Sequence, residues 1–180
     1  MNDPETHPPS IAVCLALVAL GEMALRDPLT GLRNRRYFDE ALADALARAE
    51  RYDRNLSLAL FDLDRFKQLN DRLGHPAGDD ALRAFSDLLE SETRNADVAC
   101  RFGGDEFALI LPETDLAAAR RVAKRIESAA RDVCGLSVAS GVAERSGGLY
   151  LFADADADLL AEKRRRTQAA TSARTERAPD

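Results

Sequence analysis

The spacing of apolar residues changes several times along the chain, and each change predicts an element. Ile11 to Leu25 (IAVCLALVALGEMAL) is almost continuously apolar. It is shorter than the ~20 residues of a membrane span and Glu22 breaks its far end, so it predicts a helix capped by Ser10 that packs on the domain or on a second copy. After the turn-like DPLTGL, Asn34 can cap a helix to about Asp53, with Phe38, Leu42, Ala45, Leu46 and Ala49 on one face. LSLALFDL (56–63) has the length and composition of a buried strand. DRFKQLNDRL predicts a helix capped by Asp64 and stopped by Gly74, and PAGDDALRAFSDLLESETR a further helix with Ala81, Phe85, Leu88 and Leu89 inward. VACRF and DEFALIL then predict two strands joined across Gly103-Gly104 as a hairpin. TDLAAARRVAKRIESAARD is an amphipathic helix, LSVASGVA a strand and ADADLLAEKRRR a last helix. TQAATSARTERAPD has no periodicity and is expected to be mobile. The order suits an α+β fold, helices packed on a mostly antiparallel sheet.

Composition narrows the class. With 180 residues, 46% hydrophobic and 31% charged, the chain suits one soluble domain with short extensions. A net charge of −6 argues against a general nucleic-acid coat, which needs a basic face. Cys14, Cys100 and Cys134 are scattered among apolar neighbours, the pattern of buried reduced thiols in a reducing, cytoplasmic compartment. The leader MNDPETHPPS has no Lys or Arg and lacks the basic flank of a secretion signal.

The stretch RFGGDEFALIL (101–111) carries the chemistry. Strands disfavour glycine and aspartate, yet Gly103, Gly104, Asp105 and Glu106 interrupt an apolar run. If 56–63 lies beside the hairpin, Asp62 comes close to Asp105 and Glu106. Carboxylates gathered near a turn and a helix start point to a divalent metal and phosphate, since Mg²⁺ prefers oxygen ligands and shares them with substrate phosphates. The helix after Asp64 offers free N–H groups to anions, and Lys67 adds a positive charge.

RFGGDEF, with FDLDRFKQLND and LGHPAGDDAL upstream and DPLTGLRNRRYF before them, resembles the GGDEF family of diguanylate cyclases. The resemblance covers about residues 26–168, leaving 1–25 as leader and apolar helix and 169–180 as tail. It implies a nucleotidyl-cyclase fold related to the polymerase palm, and condensation of two GTP to cyclic di-GMP and two pyrophosphates across a homodimer. By the same resemblance Asp62, Asp105 and the carbonyl of Leu63 hold Mg²⁺ (or Mn²⁺), while Glu106 lies near the attacking hydroxyl. Gly103 and Gly104 leave room for the nucleotide. Leu63, Phe66, Lys67, Asn70, Asp79 and Lys163 bind substrate, Asn70 and Asp79 reading guanine. A carboxylate at Asp79 can accept from guanine N1–H and the 2-amino group, where adenine presents a lone pair.

RNAD (94–97) stands where the family has its RxxD inhibitory site, so Arg94 and Asp97 are expected to hold product, with Arg125 supplied by a second domain. Three features depart from the family pattern. Thr167 replaces an arginine four residues after Lys163, leaving Arg165 or Arg166 to substitute. The segment DVCGLSVASG is short enough to have lost a small hairpin. Pairing of subunits falls to the Ile11–Leu25 helix. A rival reading is therefore a GGDEF module that binds GTP or cyclic di-GMP and signals by contact.

Overall fold

The two most continuous apolar runs become the two central strands of a four-stranded sheet. The computed structural model describes residues 11–145 and 150–175. Its elements are α1 (Ile11–Ala24), α2 (Arg35–Tyr52), β1 (Leu56–Leu63), α3 (Phe66–Leu73), α4 (His75–Ser91), β2 (Val98–Arg101), β3 (Glu106–Pro112), α5 (Leu116–Cys134), β4 (Val138–Glu144) and α6 (Leu151–Thr175). The strand order is β2-β3-β1-β4, and every pairing is antiparallel.

Helices cover both faces of the sheet, which is why β1 and β3 read as nearly unbroken apolar runs. Alternate residues go to opposite sides. Phe61, Leu63, Phe107 and Leu109 meet Leu82, Phe85 and Leu89 of α4 and Ala123 and Ile126 of α5. Leu58, Leu60, Ala108 and Ile110 meet Phe38 and Leu42 of α2 and Leu151, Ala155 and Leu159 of α6. Gly141 of β4 has a definite task on that second face. A Cβ there would stand 2.2 Å from the Ala155 carbonyl oxygen and the Leu159 nitrogen, so only glycine lets α6 lie this close. The Asp158 carboxylate accepts from the Val142 N–H at 2.9 Å and fixes the contact.

Several local expectations hold. Asn34 caps α2 by accepting from the Tyr37 N–H, and Gly74 ends α3 at φ 84°. Others are corrected. Asp64 does not cap α3; the N-cap is Arg65, in the left-handed region, and it makes no side-chain capping bond. The helix expected to reach Arg94 stops at Ser91, where the Ser91 and Thr93 hydroxyls take the Leu88 and Glu90 carbonyls and compete with continued helix. α6 continues to Thr175, well past Arg166, through an alanine-rich stretch without glycine or proline. α5 reaches β4 through Gly135–Ser137 alone.

Ile11, Leu15, Leu20 and Met23 of α1 stay exposed, so the domain does not bury these side chains. The Glu22 carboxylate pairs with Arg33 at 2.9 Å near the start of the domain. No described helix is long and apolar enough to cross a membrane. The expected cap Ser10 lies outside the described residues, as does the side chain of Cys14. Cys100 is buried, and burial pushes its thiol up to about 12, beyond useful nucleophilicity. Cys134 is only partly buried, because it ends α5 at the rim of the core.

Candidate active site and a second, arginine-lined cleft

Sheet register brings the acids together. Asp62 lies opposite Glu106 in the β1–β3 pair, and the Leu63 N–H donates to the Asp105 carbonyl at 3.2 Å. Asp62 is the one β1 residue not fully buried. Its carboxyl is pushed above the ordinary 3.8 chiefly by burial; Lys163 pulls it down, and the charges of Asp105 and Asp64 push it up again. Lys163 Nζ sits 2.6 Å from the Asp62 carboxylate, so the acid already draws a cation.

This donor set suits a hard divalent ion. The Asp62 carboxylate and the Leu63 carbonyl at the end of β1, and the Asp105 carboxylate in the turn whose backbone bonds to Leu63, are all oxygen donors, and burial disfavours the charged form of Asp62 in spite of Lys163. Among the described residues no group of three or more His, Cys, Asp or Glu forms a closed metal cage. A metal here would complete its shell with substrate oxygens, as Mg²⁺ commonly does.

The turn before these acids is held by residues that the sequence did not single out. Arg101 donates to the Gly104 carbonyl through Nε (3.2 Å) and Nη2 (2.7 Å), and through Nη1 to Asp27 at 2.9 Å. Burial raises the Asp27 carboxyl, but the Thr30 hydroxyl and N–H and the Arg101 guanidinium outweigh it and hold the group low. Phe102 stacks on Phe38 at 5.7 Å and meets Phe152 edge-on at 5.9 Å. The signal was present in DPLTGL and in the arginine opening RFGGDEF, but nothing local joins two segments so far apart. β2 and β3 pair antiparallel on either side of Phe102–Asp105, and the Phe102 and Gly103 N–H groups donate to the Glu106 carbonyl, so the hairpin expected there forms, although neither Gly103 nor Gly104 adopts the left-handed region. A Cβ on Gly103 would strike the folded-back Glu106 carboxylate, whereas one on Gly104 would face open space. Gly103 thus makes room for Glu106.

α6 locks against the same edge. Arg166 donates to Asp64 (3.1 Å), the Val138 carbonyl (2.7 Å), Glu127 (3.1 Å) and Glu162 (2.7 Å). Asp64 also accepts from the Ser137 hydroxyl at 2.9 Å. Asp64 is therefore a tie between β1, β4 and α6. Arg165 pairs with Glu162 at 2.7 Å, so both arginines expected to stand in for Thr167 are engaged, and the Thr167 hydroxyl donates to the Lys163 carbonyl.

On the other side of the acids, α3 and α4 form a second wall. Phe66 and Asn70 lie one turn apart on α3, and both crowd Gly78 of α4: a Cβ on that glycine would meet Asn70 Oδ1 at 2.0 Å and Phe66 Cζ at 3.1 Å. Asn70 is thus partly buried against α4, and its Oδ1 accepts no hydrogen bond. Asp79 follows Gly78 and is partly exposed; Lys67 is exposed in the first turn of α3.

The far end of β3 holds a cleft of about 140 Å³ lined by Glu92, Arg94, Asp97, Thr114, Arg121 and Arg125 among others. Arg94 and Asp97 form a turn in which the Asp97 carboxylate accepts from the Arg94 N–H at 2.8 Å. Arg125, expected from a neighbouring domain, lines this cleft from the chain's own α5 and pairs with Glu92.

Known proteins show the same frame. A family model described as "Diguanylate cyclase, GGDEF domain" matches residues 24–168. Diguanylate cyclase DgcS of Shewanella oneidensis is 40% identical over 148 residues, 78% of this chain and 50% of DgcS. The chain thus spans about half the length of that relative. The coiled coil and GGDEF domain of DgcB from Caulobacter crescentus, solved in complex with c-di-GMP, superpose with a TM-score of 0.80 at 30% identity, covering 85% of this chain and 87% of that one. Diguanylate cyclase SiaD of Pseudomonas aeruginosa, solved with its activator SiaC, gives 0.76 at 38% identity, covering 85% and 63%.

Proposed function

The chain belongs to the GGDEF family, and on that premise we propose that it is a cytoplasmic diguanylate cyclase, condensing two GTP into cyclic di-GMP and two pyrophosphates across a homodimer. The observation that carries this reading is Asp62, half-buried and raised in pKa, set opposite Glu106 and beside Asp105.

Asp62, the Leu63 carbonyl and Asp105 would hold Mg²⁺ or Mn²⁺. When bound, that ion polarises the α-phosphate and takes up charge on the departing pyrophosphate. The remaining work falls to this chain's residues. Lys163 balances Asp62 and stands ready for phosphate oxygens, and Lys67 and the N-terminus of α3 add further attraction for anions. Glu106, the exposed first residue of β3, accepts the proton of the attacking 3′-hydroxyl. A bond forms between that oxygen and the α-phosphorus of the facing nucleotide while the bond to its pyrophosphate breaks. The same exchange in the other direction closes the ring. Asn70 and Asp79 read guanine in this account, and the partly exposed Asp79 carboxylate is the acceptor that matches the N1–H and 2-amino group. One domain carries half of the reacting pair, so two copies must face each other, and the exposed apolar residues of α1 suit the pairing of subunits.

Arg94, Asp97 and Arg125 form the site of product inhibition in this reading. Their convergence around one cleft of the chain supports it. A second reading, a module that binds nucleotide with little turnover, is favoured by one feature: Thr167 replaces a phosphate-binding cation while Arg165 and Arg166 are committed elsewhere.

The deciding measurement is purified protein with GTP and Mg²⁺, followed by chromatography of the nucleotides. Cyclic di-GMP formed at a rate rising faster than linearly with protein concentration is expected. Tight GTP binding without any dinucleotide would overturn catalysis in favour of the binding module.

A further inference from the structure

Glu92 is an acid in an awkward place. It is the C-cap of α4, the negative end of the helix dipole, where a carboxylate is disfavoured. Its side chain is only 24% exposed. The carboxylate pairs with Arg125 Nε, and Arg125 Nη2 also donates to the Glu92 carbonyl oxygen at 3.4 Å. Arg94 and Arg121, which line the same cleft, make no ion pair among the described residues. Of its three guanidiniums, the cleft has therefore neutralised one from within.

Resting on the reading of this cleft as a product site, we propose that Glu92 sets its affinity, acting as an internal counter-ion that an anionic guest must displace from Arg125. The guest is a cyclic dinucleotide with two phosphodiester charges. Three guanidiniums against the carboxylates of Glu92 and Asp97 leave the lining one net positive charge, too few for a dianion. Removing the Glu92 charge brings the lining to two. Asp97 differs in kind, since its carboxylate is fixed by the Arg94 N–H and leaves the Arg94 guanidinium available. Glu92 thus raises the product concentration at which feedback begins. Arg125 stays positioned throughout, because the Glu92 carbonyl holds it even when the carboxylate lets go.

The test is calorimetric titration of cyclic di-GMP into the full chain as wild type, Glu92→Gln, Arg94→Ala, Arg125→Ala and the Glu92→Gln/Arg125→Ala pair. Glu92→Gln should bind about fivefold more tightly, the worth of a partly exposed ion pair. The gain should vanish in the Arg125→Ala background. Glu92→Asp, which keeps the charge on a shorter arm, should fall between wild type and glutamine. A pair that only staples α4 to α5 would lower the melting temperature of Glu92→Gln and leave affinity unmoved. Unchanged affinity in Glu92→Gln, with binding still lost in Arg94→Ala, would overturn the role of Glu92 and leave the cleft standing. No binding by wild type or by Glu92→Gln would overturn both. A gain that persists without Arg125 would show that Glu92 acts on another group, which also defeats the proposal.

Discussion

At the Glu106 end of β3, acids from two strands and a turn meet, and a single lysine from α6 partly offsets them. At the Pro112 end, arginines from a turn and from α5 face each other around two acids. The acid end is assembled by sheet register, so its members are fixed to one another by the strongest part of the fold. The arginine end joins a short turn to one helix face. The acid end also works against folding. Burial holds Asp62 above 3.8, so its ionisation opposes the folded state at neutral pH, and that cost fades as pH falls through the raised value. A site that stays unfavourable in the free protein is one whose ligand supplies the missing charge.

The largest effect should come from the acids themselves. Asp105→Ala or Asp62→Asn should cut cyclic di-GMP formation by about a thousandfold, since a divalent ion would lose a ligand beside a polyphosphate. Asp62→Asn should nevertheless leave the melting temperature at pH 7 unchanged or higher, because it removes a desolvated charge. A drop of several degrees would show that Asp62 serves stability and would break the contrast between the two ends.

Gly141→Val probes the clamp that presents Lys163. Its Cβ would enter the α6 backbone, and overpacking of this kind costs about 1–3 kcal/mol or more. Thermal unfolding should show the loss, with GTP affinity falling and cyclic di-GMP affinity at the opposite end kept. Equal loss at both ends would mean that the domain responds as one unit.

Lys163→Met should raise the KM for GTP roughly tenfold, the scale of one charge-assisted contact. Without its lysine, Asp62 loses the neighbour that pulls its carboxyl down, so the acid limb of the pH–rate profile should move to higher pH. A shift to lower pH, or none, would show that Lys163 does not govern Asp62. The smallest effect on turnover belongs to the other end. Arg94→Ala should leave initial rates intact while weakening cyclic di-GMP binding at least tenfold. Inhibition by added product should be noncompetitive with GTP in the wild type and absent in the variant. A change in initial rate would join the two ends that the fold keeps apart.

Much of this was legible in the chain before any coordinates. Apolar runs at strand length and helical faces such as Phe38, Leu42, Ala45 and Ala49 fixed the order of elements, because burial imposes a local period on whatever segment it touches. Two acids after Gly-Gly, with FDLD upstream, implied that Asp62, Asp105 and Glu106 would meet, since antiparallel pairing of those runs leaves few alternatives. Apolar spacing ends α6 near Arg166, but the helix runs on to Thr175, because alanine propensity persists where periodicity does not.

Only the tertiary structure decided the partners. Asp64, a plausible cap from its position, is taken by Arg166 and Ser137 instead. Arg101 reaches Asp27, Lys163 reaches Asp62, and Arg125 meets Glu92 within its own chain. Asn70, placed in the substrate site by the family resemblance, has its side-chain oxygen tucked against Gly78. Apolar burial is non-directional and sums over many residues, so it leaves a pattern along the chain. An ion pair or hydrogen bond depends on a few tenths of an ångström between groups dozens of residues apart, and it leaves no period to read.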